Sequence, residues 1–289
     1  MKAKDYLAQY EAAQLKKKSP NTVKAYIADL KQFFAFIDKD LEDVKHDDIV
    51  RYTQYLLSQI NKRKNKPLEP KTVNRKLVSV RQYIDWINKN EMIDINIFID
   101  IELIKIQKQE YLDEVITKTD FDRIVRAAEK DGNMKAVAVF NTLYFTGVRV
   151  SELTQFTVGD IKTGEKFVRG KGNKYRRVVI PEKLKAILLP YIKQRGLKNN
   201  QYLFINDTNN NPMQRQSIHN MIKSYAGQAR VKLSKAHAHS FRHLCALRMI
   251  EEGATLDEVA DILGHSNINT TRIYTRKTGK ELRNIQERL

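Results

Sequence analysis

A chain of 289 residues, 42% hydrophobic and 30% charged, has the composition to bury a core, which excludes a disordered tail, and the length for two domains. Its formal net charge of +18 divides as 21 Lys and Arg against 16 Asp and Glu in residues 1–112, and 31 against 18 in the remainder; such an excess points to a nucleic-acid partner, with generic attraction to polyanions as the alternative. A single cysteine, Cys245, excludes an intramolecular disulfide, and the amino-terminal MKAKDYLAQYEAAQLKKK lacks the apolar core of a signal peptide, so a soluble protein of a reducing compartment is expected.

The first hundred residues read as helices. Ser19-Pro20-Asn21-Thr22 supplies a cap and a helix-starting proline, and Ala25, Leu30, Phe33, Phe34, Phe36 and Ile37 recur at helical spacing up to Asp38. A second stripe, from about Asp47, takes Ile49, Val50, Tyr52, Leu56, Leu57 and Ile60 and ends in the basic loop 61–66 before Pro67. A third starts near Pro70 and carries Val73, Leu77, Val80, Tyr83, Ile84 and Ile87, with Lys71, Arg75, Lys76 and Arg81 on its exposed face. A charge run is ordinarily a solvated helix face. Here two of them, Lys62, Arg63 and Lys64 to Lys66, then Lys71 to Arg81, flank one connection, which predicts a phosphate-contacting surface. Residues 1–107 are read as a small helical domain, polar 105–110 as the linker, and 108–289 as the second domain.

In that second domain Thr117-Lys-Thr-Asp120 caps a helix bearing Phe121, Ile124 and Val125. Residues 136–145 form a nearly continuous apolar run, a buried helix closed by Gly147. Segments 166–169 and 175–180 read as the strands of a hairpin around Gly170-Lys171-Gly172-Asn173-Lys174, a turn without the spacing of a nucleotide-binding loop. Helices resume from Pro181 to Leu289, with a loop at 206–212. The predicted fold class is mainly α with a small β-hairpin (α+β), in two domains.

Four fragments bring reactive residue types in order: Thr146-Gly-Val-Arg149-Val-Ser-Glu152-Leu153, Gly170-Lys171-Gly172, His239-Ser-Phe-Arg242-His243, and Leu263-Gly-His265 followed nine residues on by Tyr274. A lone Tyr or Arg near a carboxy terminus is ordinarily structural; the joint set carries the reading. In-line attack at a phosphodiester spreads charge over non-bridging oxygens. Without a metal, the forked, permanently charged guanidiniums of Arg149 and Arg242 suit that charge. A phenol of pKa about 10 attacks poorly until cations favour the phenolate, which makes Tyr274 the candidate nucleophile. His239, three residues before Arg242, shares its face if the segment is helical and can move protons at neutral pH. Glu152, one turn after Arg149, is a candidate partner for it.

These fragments resemble the tyrosine recombinase (phage integrase) family, over essentially the whole chain and most specifically in TGVRVSEL and LGH-x8-Y. GKGNK and HSFRH support the match, and the amino-terminal helices resemble the family's SAM-like core-binding domain. Phe241 stands where leucine is commoner, an apolar exchange that touches no catalytic role. The resemblance implies a 3′-phosphotyrosyl enzyme on Tyr274 with a free 5′-hydroxyl, Lys171 as general acid, His239 as base or acid, and His265 on the scissile phosphate or the tyrosine. Because the phosphotyrosyl bond conserves the energy of the phosphodiester, no ATP, metal or other cofactor is expected.

It further implies double-stranded recombination sites as partner, clamped between the two domains with 105–112 as strap. Four protomers, monomeric in solution and with or without accessory proteins, would exchange strands through a Holliday junction. The tail, 278–289, reads as a short helix that docks on a neighbouring protomer in a head-to-tail ring or packs on its own domain. The chain resembles compact Xer-like and transposon-borne enzymes. That leaves dimer resolution of chromosomes or plasmids open beside integration, excision or cointegrate resolution for a mobile element, in a bacterial cytoplasm.

Other readings stay open at this level. Lys171 could be a turn residue, with Lys174 or Arg176 as the phosphate contact. His237, His239 and His243 have a spacing that resembles metal ligation, but Arg242 sits among them and no nearby carboxylate or cysteine completes the set; no metal is expected, and His243 reads as a hydrogen-bonded core residue. A DNA-binding accessory protein without chemistry and a type IB topoisomerase are the competing functions.

Overall fold

The computed structural model describes residues 3–61, 65–92, 99–106, 115–169, 175–264, 271 and 287, in two units, Met1–Gln109 and Glu110–Leu289. In the first unit α1 (Leu7–Leu15) precedes three longer helices, α2 (Pro20–Ile37), α3 (His46–Ser58) and α4 (Pro70–Lys89). Helix α2 begins where the Ser19 hydroxyl accepts from the Thr22 amide, with Pro20 in the first turn, and ends at Asp38 in the left-handed region (φ 46°). Its stripe of Val23, Ile27, Leu30, Phe33 and Ile37 meets Ile49, Tyr52 and Leu56 of α3 and Val73, Leu77, Val80, Tyr83 and Ile87 of α4 in one core. Each such side chain contributes about 1.5–3 kcal/mol on burial. Helix α1 joins through Tyr10, fully buried and edge-on to Tyr83 at 5.0 Å and Trp86 at 5.3 Å.

Two expectations for this unit are corrected. Helix α3 stops at Ser58, two residues short of the predicted stripe: Gln59 is extended, and Ile60–Asn61 (β1) pairs antiparallel with Lys66–Pro67 (β2). Ile60 is 59% exposed, so no core contact holds it in the helix. The basic face of α4 is also not uniformly exposed. Asp29, on α2, is buried, and an ionised carboxylate there needs partners. Arg75 pairs with it, Lys76 Nζ reaches it at 3.0 Å, and Ser79 Oγ donates to it at 3.0 Å. Lys71, Arg75 and Arg81 remain exposed, whereas Lys76 is drawn inward. Arg81 also donates to the Ile101 carbonyl, and Asn74 exchanges bonds of 2.8 and 2.9 Å with the Ile104 backbone, which clasps 101–104 along α4. Lys62, Arg63, Lys64 and the 107–112 part of the expected linker lie outside the described residues.

The second unit comprises α5 (Lys118–Lys130), α6 (Met134–Thr146), α7 (Val150–Leu153), α8 (Val158–Thr163), the hairpin β3 (Glu165–Arg169) and β4 (Tyr175–Val179), then α9 (Glu182–Arg195), α10 (Arg215–Gln228), α11 (Ala238–Glu251) and α12 (Leu256–Leu263). Thr117 and Asp120 cap α5 reciprocally. The apolar run becomes the central helix α6, packed on α5, α9, α10 and α11. Its buried Thr142 and Thr146 hydroxyls donate to the carbonyls four residues back, at 2.8 and 2.5 Å, so they cost the core little. The hairpin pairs Val168 with Arg176 and Phe167 with Arg177, turning Val168, Arg176 and Val178 to the interior and leaving Phe167, Tyr175 and Val179 in solvent. The fold among the described residues is thus mainly helical with two small antiparallel sheets. Among the described residues, no helix is long and apolar enough to cross a membrane.

Helix α6 ends at Gly147 with φ 58°, its amide bonded to the Leu143 carbonyl. A Cβ built there falls 2.5 Å from Leu263 Cδ2 and 3.2 Å from Cys245 Sγ. The glycine therefore permits both the left-handed turn and the approach of α6 to α11 and α12. Gly147→Ala should lower the thermal midpoint of this unit by roughly 5–10 °C, from overpacking plus left-handed strain. A calorimetric scan checks this, and an unchanged midpoint would refute the close approach.

Candidate active site

Arg149 follows the Gly147 turn and opens α7. Its amide donates to Glu152 Oε2 at 2.9 Å and its Nη1 to Oε1 at 2.9 Å, so one carboxylate grips both ends of the residue. Glu152 is buried at 3% exposure and also receives Arg176 Nη2 at 2.7 Å. Burial pushes this carboxyl up, but the Arg149 amide, the Arg176 charge and the Arg149 guanidinium more than offset it and hold it below the ordinary value. Glu152 is accordingly ionised at neutral pH.

Helix α12 ends against this group. The last carbonyls of a helix lack intrahelical partners and carry the negative end of its dipole. Three consecutive ones are met by three guanidiniums: Arg176 Nη1 donates to Ile262 at 2.7 Å, Arg242 Nη2 to Leu263 at 2.6 Å, and Arg149 Nη2 to Gly264 at 3.3 Å. Arg242, at 1% exposure the largest fully buried side chain among the described residues, also donates Nη1 to the Gly147 carbonyl at 2.7 Å. Three cations against one carboxylate leave a surplus of positive charge, with Arg149 still 37% exposed at its edge. That arrangement suits an oxyanion arriving from solvent.

His239 lies in the first turn of α11, three residues before Arg242, and its ring meets His243 edge-on at 4.5 Å. Partial desolvation, then the charge of Arg242, with His237 and Arg149 adding to it, lowers its pKa from 6.5, so the ring is neutral at physiological pH and remains partly open to solvent. His243, expected in the core, is only half-buried, because α11 turns it toward His239. His237 caps α11 by accepting from the Ser240 amide at 3.2 Å. Burial pushes the Cys245 thiol up to about 12, which leaves it neutral and poorly nucleophilic. Among the described residues no group of three His, Cys, Asp or Glu side chains could hold a metal.

Arg149, Glu152, His239 and Arg242, read as a set from the sequence, thus converge. Arg176, expected as a phosphate contact, joins this cluster: its side chain is 10% exposed, with one terminal nitrogen on Glu152 and the other on the Ile262 carbonyl. The signal was present in the hairpin alternation, since Arg176 shares a face with Val178 and Ile180. Lys171, Lys174, His265, Tyr274 and the tail 278–289, Glu287 excepted, lie outside the described residues. Thr271, between His265 and Tyr274, is described and fully buried. Lys71, Arg75, Lys76 and Arg81 belong to the other unit.

Comparison with known proteins places these features. Residues 114–281 match the model of the phage integrase family, and residues 6–94 match that of the phage integrase N-terminal SAM-like domain. A tyrosine recombinase XerC of Staphylococcus saprophyticus subsp. saprophyticus is 30% identical over 281 residues, covering 92% of this chain and 90% of the relative. Two solved structures share the fold. The XerH site-specific recombinase bound to palindromic difH has a TM-score of 0.74 at 20% identity, over 91% of this chain and 78% of that one. The Tn1549 transposon integrase with transposon right-end DNA has a TM-score of 0.68 at 19% identity, over 100% and 99%.

Proposed function

The chain belongs to the phage integrase family, and from that premise we propose how its residues carry out site-specific recombination. The function is that of a tyrosine recombinase, an enzyme that cuts and rejoins DNA. Tyr274 Oη attacks the scissile phosphorus, the bond to the 5′-oxygen breaks, and a 3′-phosphotyrosyl link forms. Arg149 and Arg242 neutralise the non-bridging oxygens as charge develops. Neutral His239 accepts the phenolic proton or hydrogen-bonds the phosphate, Lys171 protonates the leaving 5′-oxygen, and His265 holds the phosphate or the tyrosine. In the reverse step a 5′-hydroxyl of a second strand displaces the tyrosine, so neither ATP nor a metal enters the balance.

The observation that carries this reading is the convergence of Arg149, Arg242 and His239 on one surplus-positive site, next in sequence to the segment with His265 and Tyr274. Partners are double-stranded recombination sites, contacted in part by Lys71, Arg75 and Arg81 and by the basic stretch at 62–64. Four protomers assemble on two duplexes, in the bacterial cytoplasm. Xer-type and transposon-borne relatives both fit, so dimer resolution and the movement or resolution of a mobile element are the two roles. Selecting bound duplexes from a random pool, then nicking the site beside the cleavage point, tests the proposal. A covalent adduct and exchange between two sites are expected; relaxation of supercoils without exchange would indicate a topoisomerase instead, and binding without adduct an accessory protein.

The state of His239 sets the acid limb. Because its pKa is lowered, the neutral form persists as pH falls through 6.5. The second-order rate of adduct formation, which reports the DNA-free protein, should decline only below that pH, and His239→Gln should remove the limb. A midpoint at or above 6.5 would contradict the assignment.

A further inference from the structure

We propose that Arg176 is a positioning residue for strand cleavage: it braces the carboxy end of α12, from which the chain continues to His265 and Tyr274, against the carboxylate that holds Arg149. This inference rests on the recombinase reading above. It gives a task to a side chain whose two terminal nitrogens both bind groups of the protein itself.

Arg176 links two groups far apart in sequence. Nη2 binds Glu152 Oε2 at 2.7 Å and Nη1 binds the Ile262 carbonyl at 2.7 Å, while a Cβ on Gly264 would fall 2.5 Å from Arg176 Cδ and 2.8 Å from Nε. The α12 terminus therefore lies flat on the arginine stem, and Gly264, at φ 67°, makes room for it. Gly264 is followed directly by His265, and Tyr274 comes ten residues after Gly264. A shift of the α12 end moves the start of that stretch, and cleavage falls steeply with about 1 Å of misplacement. The second link acts on Arg149: without Arg176, Glu152 keeps only its bonds to Arg149, and the carboxylate that carries the Arg149 fork loses its tie to the hairpin. Arg177, its neighbour, is 63% exposed and pairs with Glu165 outside this cluster, so it cannot substitute.

The test uses the full-length protein and the nicked suicide duplex. Arg176→Gln should bind a single half-site within about twofold of wild type, yet form covalent adduct roughly 30-fold more slowly or worse. Arg176→Lys, which can reach one acceptor at a time, should recover part of that loss. In a Glu152→Gln background the further loss from Arg176→Gln should be well below its effect in the wild type, because the two residues act through one bond. Cleavage by Arg176→Gln at the wild-type rate overturns the proposal. So does a loss of half-site affinity matching the loss of cleavage, which would make Arg176 a DNA contact, or full additivity with Glu152→Gln. Wild-type adduct formation on the same duplex reports separately on the recombinase reading, and the variant-to-wild-type ratio reports on Arg176.

Discussion

Tyr274→Phe should abolish covalent attachment to DNA while leaving half-site binding within about twofold. The substitution removes one hydroxyl oxygen and preserves the ring. Phosphodiesters resist attack by water, and Cys245, the one thiol of the chain, is buried and protonated and does not stand in for the phenol. A loss of at least ~10⁴-fold in the single-turnover rate is expected, the scale seen when an activated nucleophile is deleted. The readout is a slowly migrating protein–DNA band on denaturing gels with the suicide duplex. An adduct that survives in Tyr274→Phe would move the nucleophile elsewhere and undo the role assigned to Tyr274.

The second large effect concerns Arg242, and it separates catalysis from folding by contrast with Arg149. Arg242→Gln removes a buried cation whose nitrogens hold the Gly147 and Leu263 carbonyls. Adduct formation should fall by ~10³-fold or more, as for loss of a preorganised donor to a developing oxyanion. The same change should cost about 2–4 kcal/mol of stability in urea unfolding, because the buried Gly147 and Leu263 carbonyls lose their charged donor. Arg149→Lys should slow cleavage by ~10²-fold or more, since a point charge replaces the fork. Its stability cost should stay under about 1 kcal/mol, because the side chain is 37% exposed and solvent screens its pairing. Equal stability losses at the two positions would contradict the burial difference between them.

Much of the fold was legible along the chain because its helices are strongly patterned. The Ser19 and Thr117 caps, the stripes of α2 and α4 and the 175–180 strand all lie where local periodicity and capping chemistry put them. Helix α1 was not singled out: only Tyr10 and Gln14 are buried on it, and its place depends on Tyr83 and Trp86, more than seventy residues on. The short helices α7 and α8 likewise follow from their caps, Glu152 on Arg149 and Asp160 with Thr157, and not from any apolar stripe. The end of α3 was misjudged because Ile60 continues an apolar pattern that has no core to meet.

For the site, the sequence alone determined which residue types arrive in which order: Arg149 and Glu152 after a glycine turn, His239 and Arg242 three apart on one helix, and His265 nine residues before Tyr274. Chemistry at that level is local, since spacing decides which side chains share a helix face. Only the tertiary structure decided where the charges go. Lys76 turns onto Asp29 from a face that reads as exposed, and Arg176 leaves the set of surface cations to join Glu152 and Ile262, 86 residues away. Arg149 and Gly264, 115 residues apart, become partners in the same way. The reason is physical: a buried carboxylate or a bare helix end must find a donor wherever the chain brings one, and that pairing is set by packing between elements, which no single element's periodicity records.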